Sequence, residues 1–448
     1  MSQRGGKQRK HDDSDDGGTS MAGKVVLGVA AAAAGAAIGY LGSRLLSSWL
    51  SEPEEEKQMK SKASKSDNDY KYDGSKPPSK GHGSSAHYTA ASHVNTDKHD
   101  ATVELSLHEQ LLKYYQEYVV IPSDDIDAAQ KVVDEVTLAV RSRIRDPNSF
   151  KGIDMKIGDL VPFGSATEDL QVIHPNSFDV MIPIMFGSQC RAQETVVGGR
   201  KVPGRFVIVA AEGGMVSKCG ERNVFDGDQQ LIRRKLIGVL QAVVAEAAET
   251  VSGYHCVVQP ASHNPTAISV AVCTDGCDEV TVNFVPFIII DSHLFLPAAC
   301  PIWCSEQSEN DAGLWMESFA RQEKWSVDRF EPSTCGHLIV LRILKAVRLN
   351  HAQQFGTMSS YHLKLLLFHV LEDLPDSCDW DKNAVGERLI DVLTKLTEML
   401  YEHHMPHYFE QNVNTLEDVP PEMCLNLAKF LEKKLAHNDI TSLLKRDY

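Results

Sequence analysis

Hydrophobic and polar residues follow several distinct rhythms along this chain, and the changes of rhythm mark its parts. Residues 1–23 are charged and Gly-rich with no apolar period, which predicts a disordered N-terminus. Residues 25–43 then form an uncharged run of about 19 residues, the length of one membrane-spanning helix. The run is rich in Ala and Gly, with Tyr40 and Trp49 placed where an interfacial belt would lie. Residues 24–49 are accordingly expected to form a transmembrane anchor. A cleaved secretory signal, for which residues 30–37 offer small-residue sites, and a buried soluble helix are the rival readings. Residues 50–103 are rich in Ser, Lys, Asp and Gly, contain Pro77 and Pro78, and hold almost no aliphatic side chains; they predict a flexible linker.

At Leu105 the pattern becomes that of a folded protein. Ser106 and Glu109 form a capping box, after which Leu107, Leu111, Leu112 and Tyr115 recur on one helical face. A second helix is predicted after Pro122, with Ser123 as its cap, Asp124 and Asp125 suiting its dipole, and an apolar stripe of Ile126, Ala129, Val132, Val133, Val136 and Val140. Between Gly164 and about Pro297 the spacing is that of strands (206–210, around Val257, 268–272, 280–290) with one helix over 231–248. Beyond about Leu314 the aliphatic residues take helical spacing over 335–347, 360–372, 385–401 and 421–434. The expected fold is α+β: a mixed sheet with helices over 104–313, then a helical half over 314–448.

Composition narrows the function. The 448 residues suggest two or three domains, and a formal net charge of −16 argues against a nucleic-acid-binding surface, since phosphate binding depends on Lys and Arg. Ten cysteines without dense pairing indicate a reducing compartment. Cys273 with Cys277, and Cys300 with Cys304, admit a four-cysteine zinc site as the alternative to structural cysteines, although the spacing is wider than in the tightest zinc knuckles. Around the apolar run, Arg4, Lys7, Arg9, Lys10, Lys24 and Arg44 suit a mitochondrial outer-membrane signal anchor, but with positive charge on both sides they do not set its orientation.

The candidate chemistry lies in Val161-Pro162-Phe163-Gly164-Ser165 and the strand after it. A Gly-Ser turn opening a short helical segment lets backbone approach a ligand and presents N–H groups to phosphate. In the next strand Phe178, Val180, Ile182 and Ile184 share one face and Ser177 and Asp179 the other, which is how a metal-binding carboxylate pair is built. A turn before a buried strand is the bland alternative.

The spacing resembles the nucleotidyltransferase superfamily, in the branch that contains cyclic GMP-AMP synthase, and within it the mitochondrial dynamics (MiD) proteins. The resemblance runs from about Leu105 to the end. It rests on residues 106–115 (SLHEQLLKYY), 169–172 (DLQV), 282–286 (VNFVP) and 341–346 (LRILKA), with 359–364 (SSYHLK) shared by the wider branch. The synthase's His-Cys-Cys-Cys zinc insertion is not recognisable here. The resemblance implies a nucleotidyltransferase-like mixed sheet, a C-terminal helical half, and nucleotide held between the two. It also implies an outer-membrane protein, single-pass with its bulk in the cytosol, that recruits a dynamin-related fission GTPase; a homodimer is compatible with it.

In the active members of this superfamily three carboxylates hold Mg²⁺. The corresponding positions here carry Ser177, Asp179 and Asn283, so the resemblance implies a fold without nucleotidyl transfer and no metal. Glu168 and Asp169 are expected in the solvated first turn of the helix after Gly-Ser. For nucleotide, the family pattern is matched by Gly164, Ser165 and Ser318. Arg342 stands where a Lys is expected, Ala320 replaces an Arg and Ser177 a His, so no cofactor is required and ADP or GDP remains an open ligand. The polar connection 212–230, which its composition excludes from much of the core, corresponds to the loop that docks the GTPase in MiD proteins; Lys218, Glu221, Arg222 and Asp226 are its candidate contacts. An active cyclic-dinucleotide synthase, or a membrane-anchored receptor-interacting protein of the same superfamily, are the alternative functions.

Overall fold

The computed structural model describes residues 105–187, 189–197, 200–211, 224–261, 264–273, 279–298, 313–330 and 336–445. The expected N-terminal tail, anchor and linker lie outside these residues. Among the described residues no helix is long and apolar enough to cross a membrane.

The chain enters the fold through α1 (Leu107–Tyr114), whose capping box forms as its sequence predicts: the Ser106 N–H donates to Glu109 Oε2 at 2.8 Å, and the Glu109 N–H to Ser106 Oγ at 3.3 Å. A π-helical turn, Tyr115–Val119, comes next. Helix α2 (Ser123–Ile144) begins one residue earlier than expected. Ser123 is its first helical residue, and the cap position is Pro122, which makes no side-chain cap bond. A Pro before the first turn already sets an extended entry, so the hydroxyl is not needed there.

Among the described residues, ten strands form one mixed sheet: β1 (Met155–Ile157), β2 (Val161–Phe163), β3 (Ser177–Phe186), β4 (Cys190–Val197), β5 (Arg200–Ala210), β6 (His255–Val258), β7 (Ile268–Cys273), β8 (Val280–Ile290), β9 (His293–Pro297) and β10 (Trp315–Glu317). The main path runs β1-β3-β8-β9-β10-β5-β4, with β2 paired to β3 and β6–β7 joined to β8. The central pair, β3 and β8, is parallel, and all other pairs are antiparallel. Helix α3 (Arg233–Ala248) packs with α2 on one face, where Val136, Val140, Leu236, Leu240 and Val244 meet Phe178, Val180, Ile182, Ile184, Val282 and Phe284. The other face of β3 is also covered: Met181 joins Phe287 and Leu294 in a smaller apolar cluster. The sheet extends past residue 313, the expected end of this half, because Trp315 pairs with Pro297 of β9 and with Phe206 of β5.

The second core is helical, built from α5 (Gly336–Asn350), α7 (Ser360–Asp373), α8 (Val385–Glu402) and α9 (Pro421–Ala436), with the short α4 (Ala320–Val327) and α6 (Ala352–Phe355) beside them. Leu111 and Tyr114 of α1, and Leu170 and Val172 from the segment before β3, are buried in this same core. The N-terminal helix thus completes the C-terminal half rather than the sheet. The chain crosses between the halves more than once, and that ties the two together around the cleft between them.

Candidate functional site

The strand side of the cleft is set by register. Parallel pairing of β3 with β8 puts Asp179 beside Asn283, and antiparallel pairing of β7 with β8 puts Ser269 on the other side of Asn283. The Asn283 amide uses both its functions: Nδ2 donates to Asp179 Oδ1 at 3.0 Å and to Ser177 Oγ at 3.2 Å, while Oδ1 accepts from the Ser269 hydroxyl at 2.7 Å. Burial pushes the Asp179 carboxyl upward from its ordinary pKa, opposed by the Asn283 hydrogen bond and by the charge of Lys345.

Gly164 closes the end of β2 against this carboxylate. Its φ of +77° lies in the left-handed region, and a Cβ there would stand 2.9 Å from Asp179 Oδ2. Both conditions call for glycine. The chain then makes a single 3-10 turn, Gly164–Ala166, in place of the helix that the sequence suggests. The Leu170 N–H folds back onto the Ser165 carbonyl at 2.8 Å, and Asp169 takes a φ of +54°. The expected solvated pair is therefore split. Asp169 is exposed, but Glu168 points inward and is buried in an ion pair.

That ion pair belongs to the helical side. Lys364 of α7 donates to Glu168 at 2.7 Å and 2.9 Å and to Glu323 of α4 at 2.9 Å; all three side chains are only 8–11% exposed. The Tyr361 hydroxyl donates to Glu323 at 2.9 Å and lies 2.9 Å from His407 Nε2. Burial, and the carboxylate beside it, push the Tyr361 phenol well above its ordinary pKa; burial lowers His407 to about 4. Lys345 of α5 donates to the Leu170 carbonyl, and burial lowers its pKa to about 8.

Between the two sides lies a cavity of about 480 Å³. Gly164, Ser165, Asp179 and Ser318 line it, so four of the residues singled out in the sequence come together. Ser177 is held next to Asp179 through Asn283 but is not a lining residue. Arg342 is not a lining residue either: its guanidinium holds the Asp169 carbonyl and carboxylate and the Tyr115 hydroxyl. The lining cations are Lys324, Lys345 and Lys364, set among Glu168, Asp179, Glu317 and Glu323. Sequence reasoning missed Lys345, one helical turn beyond Arg342. It also missed Lys364, whose signal was a lysine at the head of the apolar run 365–368.

Of the docking-loop candidates, Lys218, Glu221 and Arg222 lie outside the described residues. Asp226 is part of the fold. One of its carboxylate oxygens accepts from the Asp228 N–H at 2.9 Å and the Gln230 N–H at 2.8 Å, closing a turn. This end of the connection is not merely polar, since Val224 and Phe225 are buried and Phe225 meets Phe186 edge-on. Of the zinc candidates, Cys273 is described and exposed, and Cys277, Cys300 and Cys304 fall outside; among the described residues no three metal-ligating side chains gather.

Comparison with known proteins gives the same two-part division. The Mab-21 protein nucleotidyltransferase domain matches residues 166–324, and the Mab-21 protein HhH/H2TH-like domain matches residues 338–433; together they span more than half of the chain. The chain is also similar to the mitochondrial dynamics protein MID51 of Danio rerio, 26% identical over 337 residues that cover 72% of this chain and 68% of that protein.

Proposed function

Because the chain belongs to the mitochondrial dynamics protein family, within the cyclic GMP-AMP synthase-like nucleotidyltransferase superfamily, we propose that it is a catalytically silent adaptor of mitochondrial fission. In this reading residues 24–49 anchor it in the mitochondrial outer membrane in a single pass. Residues 50–103 are the tether, and the folded part, on the cytosolic side, recruits a dynamin-related fission GTPase through the 212–230 connection and the surface beside it. The cavity holds a nucleoside diphosphate such as ADP or GDP as a ligand, not as a reactant; its volume lies within the range of small-molecule sites.

One observation carries the silent half of this proposal: the Asn283 amide bridges Ser177 and Asp179 where a metal-binding carboxylate set would stand. Nucleotidyl transfer with two Mg²⁺ needs several carboxylates to offset the metal charge and to activate the attacking hydroxyl. An amide that aims its N–H bonds at the remaining carboxylate blocks the positions from which oxygen would face a metal. The residues present do not fit a pair of Mg²⁺ ions.

Two experiments test the proposal. The folded part, incubated with ATP, GTP and Mg²⁺ or Mn²⁺, is expected to form no phosphodiester product above buffer. Product that disappears on Asp179→Ala would replace the adaptor by a synthase. In cells, replacing Lys218, Glu221 and Arg222 together by Ala in the full chain is expected to abolish GTPase recruitment while mitochondrial location persists. Asp226 is better tested as Asp226→Asn, which removes charge but keeps the acceptor that closes its turn. Unchanged recruitment by these variants would move the docking surface to the helical half.

A further inference from the structure

Three consecutive residues after the Gly-Ser turn are each gripped by a different cation of the helical half. Lys364 holds the Glu168 carboxylate, Arg342 holds the Asp169 carbonyl and carboxylate, and Lys345 holds the Leu170 carbonyl. Asp169 is bent to a φ of +54° to make this possible, although its own side chain is 86% exposed. A non-glycine residue in that region costs about 1 kcal/mol, so the grip compensates for a strained backbone. The grip is also uneven in charge. Lys364 faces two carboxylates, Glu168 and Glu323, whereas the direct partner of Lys345 is a neutral carbonyl. The charge of Glu168 acts on Lys345 as well, favouring its protonated form against the effect of burial.

A buried carboxylate in direct contact with the Lys364 ammonium, at the wall of a cavity that Lys345 also lines, occupies the place an anionic ligand would take. We propose that Glu168 is an internal stand-in for a phosphate-type polyanion: such a ligand enters the cavity by displacing this carboxylate from Lys364, with Lys345 beside it as a second donor, and so frees one of the three grips on residues 168–170. This rests on the nucleotide reading above for the site, and adds that the site is self-inhibited. The physical basis is competition for the same donors. Phosphate oxygens accept charge-assisted hydrogen bonds from ammonium groups as a carboxylate does, and a diphosphate carries more charge than Glu168 to offer both lysines. Glu323 stays with Lys364 in either state, so displacement leaves no ammonium without an opposite charge. Once Glu168 is released, the segment keeps the Arg342 grip on Asp169 and the Lys345 grip on Leu170 but loses the first of its three anchors. Ligand binding would therefore loosen one edge of the cavity, the reverse of a lid closing.

The test compares the detergent-solubilised full chain with its Glu168→Gln variant, using inorganic pyrophosphate and ADP as probes. Glu168→Gln keeps the side chain's size and leaves the Lys364–Glu323 pair intact. It is expected to bind both probes about tenfold or more tightly than the unaltered protein, since no carboxylate has to be displaced. An independent readout needs no variant. On saturation with either probe, amide hydrogen exchange across 165–173 of the unaltered protein should rise while exchange of the other cavity-lining segments falls. If the unaltered protein binds ADP but Glu168→Gln binds it no tighter, or exchange across 165–173 falls, Glu168 is not displaced and only the nucleotide reading survives. Tight binding of pyrophosphate without ADP by the variant would keep the displacement and overturn the nucleotide. Binding of neither probe by either protein would overturn both.

Discussion

Asp179 on the strand side of the cavity and Lys364 on the helical side are both buried charges, held by different means. Asp179 has one neutral donor, the Asn283 amide against one oxygen, with Lys345 acting through charge alone. Lys364 sits between two carboxylates in direct contact. A buried charge satisfied by dipoles still bears most of its desolvation cost, and its pKa moves toward the neutral form. A charge matched by opposite charges keeps its ionised form, and its removal strands its partners. The comparison separates two roles within one cleft. The strand side presents a carboxylate hydrogen-bonded to a neutral amide, while the helical side presents an ammonium matched by two carboxylates.

The sharpest way to break this comparison is Lys364→Met. It leaves Glu168 and Glu323 buried together without an ammonium, which should cost about 3–5 kcal/mol in chemical denaturation. Adding Glu168→Gln and Glu323→Gln should restore most of that loss. A Lys364→Met cost typical of a surface lysine would show that the cluster is solvated in solution. Next in size is Gly164→Ala, expected to cost about 1–3 kcal/mol through its positive φ and the Cβ contact with Asp179. Combining it with Asp179→Ala should recover the steric part and not the backbone part, so the double mutant tests which of the two dominates.

The smallest effect is the most diagnostic. The folded-state pKa of Asp179 is raised above its unfolded value, so the folded protein binds this proton more readily than the unfolded chain. The contribution of Asp179 is therefore greatest at low pH and declines as pH rises through the folded pKa. Asp179→Asn removes that decline and keeps an oxygen to accept from Asn283. It should leave stability near neutral pH unchanged or up to about 1 kcal/mol higher, with the advantage fading in acid. A clear loss of stability at neutral pH in thermal melts would mean that the carboxylate charge is strongly paired after all, and the contrast between the two sides would dissolve.

Long elements with a sustained period were legible from the sequence alone. The helices expected over 385–401 and 421–434 are Val385–Glu402 and Pro421–Ala436, and the strand expected over 280–290 is Val280–Ile290. Strands of three to five residues, such as β1, β2, β9 and β10, are too short for a period to register. β4 was missed for another reason: at the edge of the sheet, Arg191, Gln193 and Glu194 interrupt its apolar residues, and edge strands tolerate such side chains.

What the sequence determined by itself was which charges the chain carries and where along it they fall. Ser177 and Asn283 carry no ionisable group, and no folding of the chain adds a charge at those two positions. What only the tertiary structure decided was which charges face the cavity. Arg342 and Lys345 sit three apart on one helix and look interchangeable as a string, yet Arg342 is spent on Asp169 and Tyr115 while Lys345 lines the cavity. Glu168 and Asp169 are neighbours with the same charge, yet the left-handed backbone at Asp169 leaves one side chain facing inward and the other in water. Burial and pairing are set by elements almost two hundred residues apart, as with Glu168 and Lys364, and periodicity carries no information across that distance.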